Sequence, residues 1–431
     1  MALADITADP RLIDTTSQSG DFVVLHTLTT YSGVSLNRDF GNVPKTVQYG
    51  DALRMRVSPQ CWNRAVREFF RTYAGESAEQ AERSRLLPQQ TARRLADLGF
   101  PEEDCAVQGA LMVAAAGMCV DDSDPARTRA IAYVPGNAPD RLAELAADVW
   151  DDTKDARHEM REKIDKAAAR RARPTGKSSE ASLDDHESHG EDGEAAGRSK
   201  AGKGDKEKGL SAPKSIPAQL ARRAAAAFAP ATAVELAIFG RMLTEVPDGT
   251  LYSAAQVAHA FSVDPLATVT DDWTAKDDWQ DLGVFGAAGK GTTFLASGTL
   301  YRYAALDRRA LRTTLARGTS AEDAERLARL GEQLFLTALT YATPSSARSR
   351  TGSSALPTLT IAATTNHPLT AAVCFESAIE APAAVAASER LAGYLRRTQR
   401  HTPLLGGICR WLPPAGQPCP QLPATLTLEE D

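Results

Sequence analysis

Hydrophobic and polar positions along the chain predict alternating strands and helices. Residues 21–30, DFVVLHTLTT, are apolar and β-branched but too few for a helix, which predicts a buried first strand. Ser58 is a suitable N-cap and Pro59 suits the first helical position, so a helix is expected from there to about residue 73. Further along the chain, similar patterns predict strands over 292–306 and 357–366 and helices over 320–341 and 382–400.

The segment 250–263, TLYSAAQVAHAFSV, fits either a strand or a helix. Taken as a strand, it completes the order strand, helix, strand, strand, helix, strand, which is that of ferredoxin-like and RRM domains. We therefore predict an α+β fold of this type, with a polar segment over 265–291 between the middle strands. Four helical patterns would be inserted after the first helix, over 88–98, 102–119, 138–172 and about 216–243.

Composition changes at 173–213, a segment that lacks aromatic residues and has almost no aliphatic ones. Over 151–215 the sequence carries 15 acidic and 15 basic residues. A segment of this kind buries too little apolar surface to offset the entropy lost on ordering. We expect a disordered insertion there rather than a nucleic-acid-binding arm, which would carry an excess of basic residues.

The composition of the whole chain limits the class of protein. The formal net charge is −6, and no apolar run approaches the ~20 residues of a membrane helix. The N-terminus lacks the basic and apolar regions of a signal peptide. The six cysteines form no CxxC pair, which favours free thiols in a reducing compartment over disulfides or a zinc site. We therefore expect a cytoplasmic protein with no membrane partner.

A basic segment at 35–67 stands out on this acidic chain. It has a local excess of +4, from six basic residues (Arg38, Lys45, Arg54, Arg56, Arg64 and Arg67) and two acidic ones (Asp39 and Asp51). Basic and polar side chains and a helix N-terminus are the groups that hold RNA phosphates. Helical spacing puts four polar residues on one face of the expected helix: Gln60, Asn63, Arg64 and Arg67. The alternative is a solvated helix face with ordinary salt bridges.

A second basic element is the loop 343–355, TPSSARSRTGSSA. Its Arg348 and Arg350 stand among small residues that let a phosphate approach the backbone closely, and two arginines can grip it. Taken alone, the loop is better explained as an ordinary surface loop.

An acidic element follows the ambiguous segment. Residues 269–283, VTDDWTAKDDWQDLG, combine five acidic residues and one lysine with Trp273 and Trp279. These tryptophans can stack on bases, anchor an interface or cap the core, and the sequence alone does not choose among the three.

Evidence for catalysis is thin. No P-loop, dinucleotide-binding, zinc-protease or nucleophile-elbow motif occurs, and no pair of carboxylates has a spacing that indicates a catalytic site. His26 lies in an apolar strand, where a hydrogen-bonded core histidine is expected rather than a general base. We predict no catalytic residue, no metal and no cofactor.

Several pieces of sequence keep a fixed order along the chain. They are LHTL, SLNRD and RMRVSPQCWNRAVR near the N-terminus, ELAIFGRM at 235–242, and DDWTAKDDWQDLG followed by TFLASGTLYRYA. Together with the basic loop and the strand and helix after it, they resemble the backbone subunit of type I-E CRISPR Cascade (CasC), of the RAMP superfamily. One departure is Asn63, where the family motif has a basic residue, and the insert at 173–213 has no counterpart.

The resemblance implies a division of the chain. It implies a helical fingers domain over 70–245, which would contain the disordered insert, and a β-hairpin thumb over 264–291. The remaining parts would be an RRM/ferredoxin-like palm (21–69, 246–263 and 292–401) and an irregular, Pro-rich C-terminal tail (402–431).

The resemblance also implies a non-catalytic role in antiviral defence. In such proteins several copies stack head-to-tail along one CRISPR RNA and present it for pairing with a target DNA strand. Further implied partners are the large, small, guide 5′-end-capping and RNA-processing subunits of Cascade. The RNA contacts that it implies are Asn37, Arg38, Lys45, Ser58, Gln60, Asn63, Arg64 and Arg67 on the backbone, Met242 and Thr274 beside kinked nucleotides, and Arg348 and Arg350 from the basic loop.

A competing function lies within the same superfamily. A metal-dependent endoribonuclease would cut target RNA with Asp39, which stands on the loop after the first strand. A nucleic-acid-binding regulator is disfavoured because neither a helix-turn-helix nor a zinc pattern is visible.

Overall fold

The computed structural model describes residues 20–73, 80–172, 209–230, 233–276, 289–317, 319–401 and 409–411. The chain divides into two units. The first comprises Met1–Ala81, Ala229–Met242 and Thr250–Asp431, and the second comprises Glu82–Phe228 and Leu243–Gly249. Most of the predicted insert at 173–213 and of the predicted irregular tail lies outside the described residues.

The described residues contain strands in the following order along the chain: β1 (Phe22–Val34), β2 (Thr46–Tyr49), β3 (Ala52–Val57), β4 (Ala81–Ser84), β5 (Ala132–Pro135), β6 (Ala255–Val257), β7 (Ala260–Ser262), β8 (Ala267–Ala275), β9 (Gly289–Asp307), β10 (Leu359–Thr365) and β11 (Cys409–Trp411). The helices are α1 (Pro59–Tyr73), α2 (Leu87–Asp97), α3 (Glu102–Ala115), α4 (Ala138–Asp148), α5 (Lys154–Ala172), α6 (Ala218–Ala226), α7 (Val234–Phe239), α8 (Arg308–Leu315), α9 (Ala321–Tyr341), α10 (Arg348–Thr351) and α11 (Ala384–His401). A 3₁₀ turn spans Ala372–Phe375.

Four strands form the centre of the sheet in the first unit. They lie in the order β10-β1-β9-β7, and each neighbouring pair is antiparallel. With α1 after the first strand and α9 after the third, this is the ferredoxin-like arrangement. The prediction of an α+β fold with an RRM-like palm is therefore confirmed. The ambiguous segment 250–263 is strand, in the two short pieces β6 and β7.

Elements of the chain cover both faces of this sheet. On one face, Val23 and Leu25 of β1 pack in a core with Val66 and Phe70 of α1 and with residues of α9. The neighbouring positions of β1 point to the opposite face, because successive side chains of a strand alternate. There they pack with β9, the 3₁₀ turn and α11, in a core that includes Val24, Leu28, Tyr301, Phe375 and Leu391. The loops and strand ends therefore carry the accessible polar groups of this unit.

Strand β9 continues beyond the sheet as one arm of a two-stranded ribbon. Residues Gly289 to Ser297 pair with β8, and the rest of β9 joins the sheet through β1, β6 and β7. Every residue of β8 is exposed, so this arm packs on nothing else in the described part of the chain. The predicted thumb, 264–291, includes β8 and the first residues of β9, and its residues 277–288 lie outside the described part of the chain.

The second unit is helical around its own core. Helices α2 to α6 all contribute to it, through residues that include Leu95, Leu111, Leu142, Met160 and Leu220. Strands β4 and β5, which the sequence pattern did not predict, pair with each other. Among the described residues, no helix in either unit is long and apolar enough to cross a membrane.

Two predicted helices are broken in the structure. The pattern at 138–172 is two helices, α4 and α5, separated by a turn in which the Trp150 ring lies 4.1 Å from the Arg157 guanidinium and 4.2 Å from the Phe100 ring. The pattern at about 216–243 is likewise two helices, α6 and α7, on either side of Pro230, whose missing N–H cannot continue a helix.

Backbone pairing also occurs at the edges of segments predicted to be irregular. Leu210, near the end of the predicted insert, exchanges two backbone hydrogen bonds with Val120, at 2.7 and 2.9 Å. In the predicted tail, β11 pairs with β10. Distant partners supply order that the local composition does not predict.

Candidate nucleic-acid interface

Asn37 ties together the loop after β1 and the beginning of α1. Its side-chain Oδ1 accepts a hydrogen bond from the backbone N–H of Ser58 at 2.9 Å. Its carbonyl oxygen accepts one from the N–H of Lys45 at 2.8 Å. The hydroxyl of Ser58 in turn accepts from the N–H of Cys61 at 3.4 Å and caps the helix. Three of the predicted contact positions, 37, 45 and 58, are thus linked by hydrogen bonds, and position 60 follows in the first turn of α1.

The loop from Asn37 to Lys45, called the Asn37 turn below, is closed by hydrogen bonds. The Asp39 carboxylate accepts from the N–H of Val43 at 3.0 Å, and Arg38 Nη1 donates to Asn42 Oδ1 at 3.3 Å. Asn42 adopts a φ of 60°, in the left-handed region that Asn tolerates. The turn leaves the Arg38 side chain exposed. Asp39, which the endoribonuclease hypothesis requires, is used by the turn itself.

Exposed polar groups continue from this turn along the first turns of α1. Gln60 is exposed, and Arg64 is 77% exposed while pairing with Glu68 at 3.0 Å. The Cys61 thiol, which is half-buried, lies within the electrostatic influence of both Lys45 and Arg64. Burial raises the pKa of this thiol to about 11, and the positive charges of Arg64 and Lys45 act against that rise. Asn63 is half-buried, with its Oδ1 enclosed and without a hydrogen-bond partner.

Two of the six basic residues in the segment are structural. Arg54 is 0% exposed and donates hydrogen bonds to four carbonyl oxygens, those of Ser262, Val263, Phe375 and Glu376, at 2.9–3.2 Å. Arg67, a predicted RNA contact, forms an ion pair with the buried Glu235 at 3.1 Å and donates to the Ala81 carbonyl. The local charge excess at the surface is therefore smaller than the sequence suggests.

The basic loop 343–355 rests on the same apolar cluster as the Asn37 turn. This cluster includes Leu36, which precedes Asn37, and Trp62 of α1, and Ala355 packs against it. At the other end of the loop, Thr343 is buried, and its carbonyl accepts a hydrogen bond from Arg348. Arg348 and Arg350 are exposed on the short helix α10. The structure thus brings the two basic elements onto one apolar base.

Met242 and Thr274 occupy different places. Met242 is 87% exposed and follows Arg241, which pairs with Leu251. Thr274 pairs with Lys290 near the far end of the ribbon, whereas the ribbon begins at the pair Ala267 and Ser297. At about 3.4 Å per residue, Thr274 lies roughly 24 Å from that beginning. Within one chain the ribbon therefore carries Thr274 away from the sheet.

His26 is buried, and its Nδ1 lies 2.9 Å from the Tyr301 hydroxyl, so the prediction of a hydrogen-bonded core histidine is confirmed. Burial lowers its pKa to about 3. Among the described residues no group of three or more His, Cys, Asp or Glu side chains could hold a metal ion.

Two contacts at this site have no signal in the sequence. The Arg56 guanidinium lies 3.0 Å from Nδ1 of His259, which is 203 positions away. The guanidinium of Arg302 lies 4.0 Å from the ring of Trp62, on the first turns of α1. Both contacts join residues whose neighbourhood depends on sheet pairing, so only the fold reveals them.

The ribbon holds Trp273 through a close approach to glycine. Trp273 pairs with Gly291, and a Cβ at Gly291 would lie 2.6 Å from Cζ2 of the indole. We expect Gly291→Ala to displace the ring and shift its fluorescence emission to the red, with at most ~1 kcal/mol lost from the free energy of unfolding. Gly289→Ala is the matched control, since its Cβ would meet only Ala275, at 3.9 Å. Identical emission spectra for the two variants would contradict this packing.

Comparison with known proteins adds to this geometry. The family model described as CT1975-like protein matches residues 23–403. A chain of a solved "CRISPR RNA-guided surveillance complex, pre-nicking" is 26% identical, with a TM-score of 0.65 and coverage of 89% of this chain and 89% of that one. A chain of another "CRISPR RNA-guided surveillance complex" is 23% identical, with a TM-score of 0.59 and coverage of 93% and 94%. No curated protein matches the chain.

Proposed function

The chain belongs to the CT1975-like protein family, and from this premise we propose that it is an RNA-binding subunit of a Cascade-type CRISPR surveillance complex. Its partner would be the CRISPR RNA, held through its phosphates. The role would be to hold the guide rather than to cut nucleic acid, and it would require neither a metal nor a cofactor.

One observation carries this proposal. The Asn37 turn, the N-terminus of α1 and the basic loop share one apolar base and point Arg38, Arg64 and Arg350 outward. No acidic residue stands in the first turn of α1. Basic side chains beside a helix N-terminus without acidic residues form a site for polyanions, because the backbone N–H groups and the helix dipole add to the positive charge.

The covered sheet faces support a backbone-holding role. An RRM reads bases by stacking them on aromatic residues of its open sheet face. Here Phe261, Tyr301 and Tyr303 of one face are buried in a core with α11. Contacts to phosphates position a nucleic acid without reading it, and base pairing between guide and target supplies the sequence specificity.

The finer assignment is a type I-E backbone subunit that assembles head-to-tail with further copies of itself. The ribbon supports it, because β8 is exposed along its whole length and a two-stranded ribbon is marginally stable alone. A neighbouring copy would cover the ribbon, and Met242 and Thr274 would flank the same RNA from two copies. The large, small, guide-capping and RNA-processing subunits would complete the complex, which pairs its guide with target DNA.

Co-purification tests the proposal. The chain would be expressed with its neighbouring genes and a repeat–spacer array, purified, and its nucleic acid run on a denaturing gel. We expect a discrete small RNA, sensitive to ribonuclease and resistant to deoxyribonuclease, in fewer molar equivalents than the protein. Protein free of RNA, or carrying RNA of every length, would contradict the proposal. Loss of target-RNA cleavage with retained binding in Asp39→Ala would instead favour the endoribonuclease.

A further inference from the structure

Arg302 is a buried cation at the centre of the palm. It stands on β9 opposite Thr27 of β1 and is 3% exposed. Its Nε donates to the Thr27 hydroxyl at 3.1 Å, and its guanidinium lies 4.0 Å from the Trp62 ring centre. Its Nη1 is enclosed and has no hydrogen-bond partner. These contacts are neutral, so none of them supplies a negative charge.

A second buried arginine near the end of the same strand shows the contrast. Arg308 is also buried, and both of its contacts with the buried carboxylate of Glu332 are short, at 2.6 and 2.8 Å. No ion pair joins Arg302 to an acidic side chain anywhere in the described part of the chain. Burial lowers the pKa of Arg302 to about 10, which still leaves it charged at neutral pH. A buried charge without a counter-charge is costly, and most proteins pair or remove it.

The buried charge of Arg302 lies near the candidate interface, through its contact with Trp62. Trp62, on which it stacks, is in the first turns of α1, between Cys61 and Asn63. Trp62 belongs to the apolar cluster that also contains Leu36 and on which the basic loop rests. The uncompensated charge is therefore in contact with the same apolar cluster on which the Asn37 turn and the basic loop rest.

We propose that a bound polyanion supplies the counter-charge that Arg302 lacks in the free protein. Arg302 is then a positioning residue, which raises the affinity of the interface for single-stranded RNA without contacting the RNA. This inference rests on the proposed function. The buried charge acts across a medium of low polarity, in which an attraction over several ångströms keeps more of its strength than it would in water. Stacking also fixes Trp62, and with it the helix N-terminus that faces the phosphates.

The test compares two substitutions in the full chain, with a fluorescently labelled oligouridine as the probe. Arg302→Met removes the charge and keeps most of the side-chain volume. We expect its affinity for the probe to fall on the order of three- to tenfold, while the thermal midpoint of the free protein stays the same or rises. Arg302→Lys keeps the charge but loses the planar stack, and we expect it to recover most of the affinity.

Arg308→Met is the control, because it removes the guanidinium that forms two hydrogen bonds with the buried Glu332. We expect a clear fall of its thermal midpoint and unchanged affinity of the folded protein. If Arg302→Met and Arg302→Lys lose affinity and stability together, the role of Arg302 is packing and the inference is wrong. It is also wrong if wild-type protein and Arg302→Met bind the probe equally. If the wild-type protein binds no single-stranded RNA, the proposed function fails as well.

Discussion

Combined replacement of Arg38, Lys45 and Arg64 by alanine is expected to weaken binding of single-stranded RNA on the order of 100-fold at 0.1 M salt. Each phosphate contact contributes about −0.7 to the slope of log K against log salt concentration, because binding releases counterions. If one copy contacts about four phosphates, the slope should change from roughly −3 to roughly −1. Fluorescence anisotropy at several salt concentrations measures both quantities.

The matched control removes three exposed arginines elsewhere in the same unit. Arg309 and Arg317 lie in and just after α8, and Arg326 lies on α9, so their replacement changes the net charge equally. We expect at most a few-fold loss of affinity, from the long-range field alone. Equal losses in the two triple variants would show that net charge, and not the arrangement around Asn37, determines binding.

Replacing Arg54 by methionine is expected to lower the free energy of unfolding by about 3–5 kcal/mol. The guanidinium is enclosed between β7 and the segment after the 3₁₀ turn, and it satisfies four carbonyl oxygens there. Methionine fills a similar volume but donates no hydrogen bond, so these carbonyls would lose the guanidinium donor, and the Val263 oxygen would keep only the N–H of Ile379. Urea denaturation monitored by circular dichroism gives the difference.

Arg56→Met is the comparison for that experiment. Arg56 lies two residues further along β3 but is only half-buried, and its side chain contacts His259 near the surface. We expect a loss of at most ~1 kcal/mol. If both variants were equally stable, the carbonyl cage around Arg54 would not carry the stability assigned to it.

The palm was predictable because the sequence pattern of each of its main strands and helices is visible within a short window of the chain. The apolar run of β1, the Ser58-Pro59 start of α1 and the periodicity of α9 each depend on neighbouring residues. Once the order of strands and helices is known, few topologies satisfy the rules of connection. The short strands β4 and β5 were missed because four residues carry too little periodicity to be distinguished from a loop.

The division of the basic residues into surface and structural groups was not predictable. Arg54 and Arg64 lie in the same basic segment of the sequence. Arg54 is nevertheless enclosed by carbonyls of residues more than 200 positions away, whereas Arg64 is exposed. Arg67 pairs with Glu235, 168 positions away. Charge counting along a segment cannot distinguish these cases, because burial depends on the three-dimensional fold and not on local composition.

The covered sheet face has a consequence for the range of guide sequences that such a protein can bind. With Tyr301 and Tyr303 enclosed beneath α11, the face where a related fold would recognise particular bases is closed to them. A protein that contacts only the charge and spacing of the phosphates binds RNA of any base sequence. A new guide would then require no change in the protein, so one gene could serve an unlimited and changing set of guide RNAs.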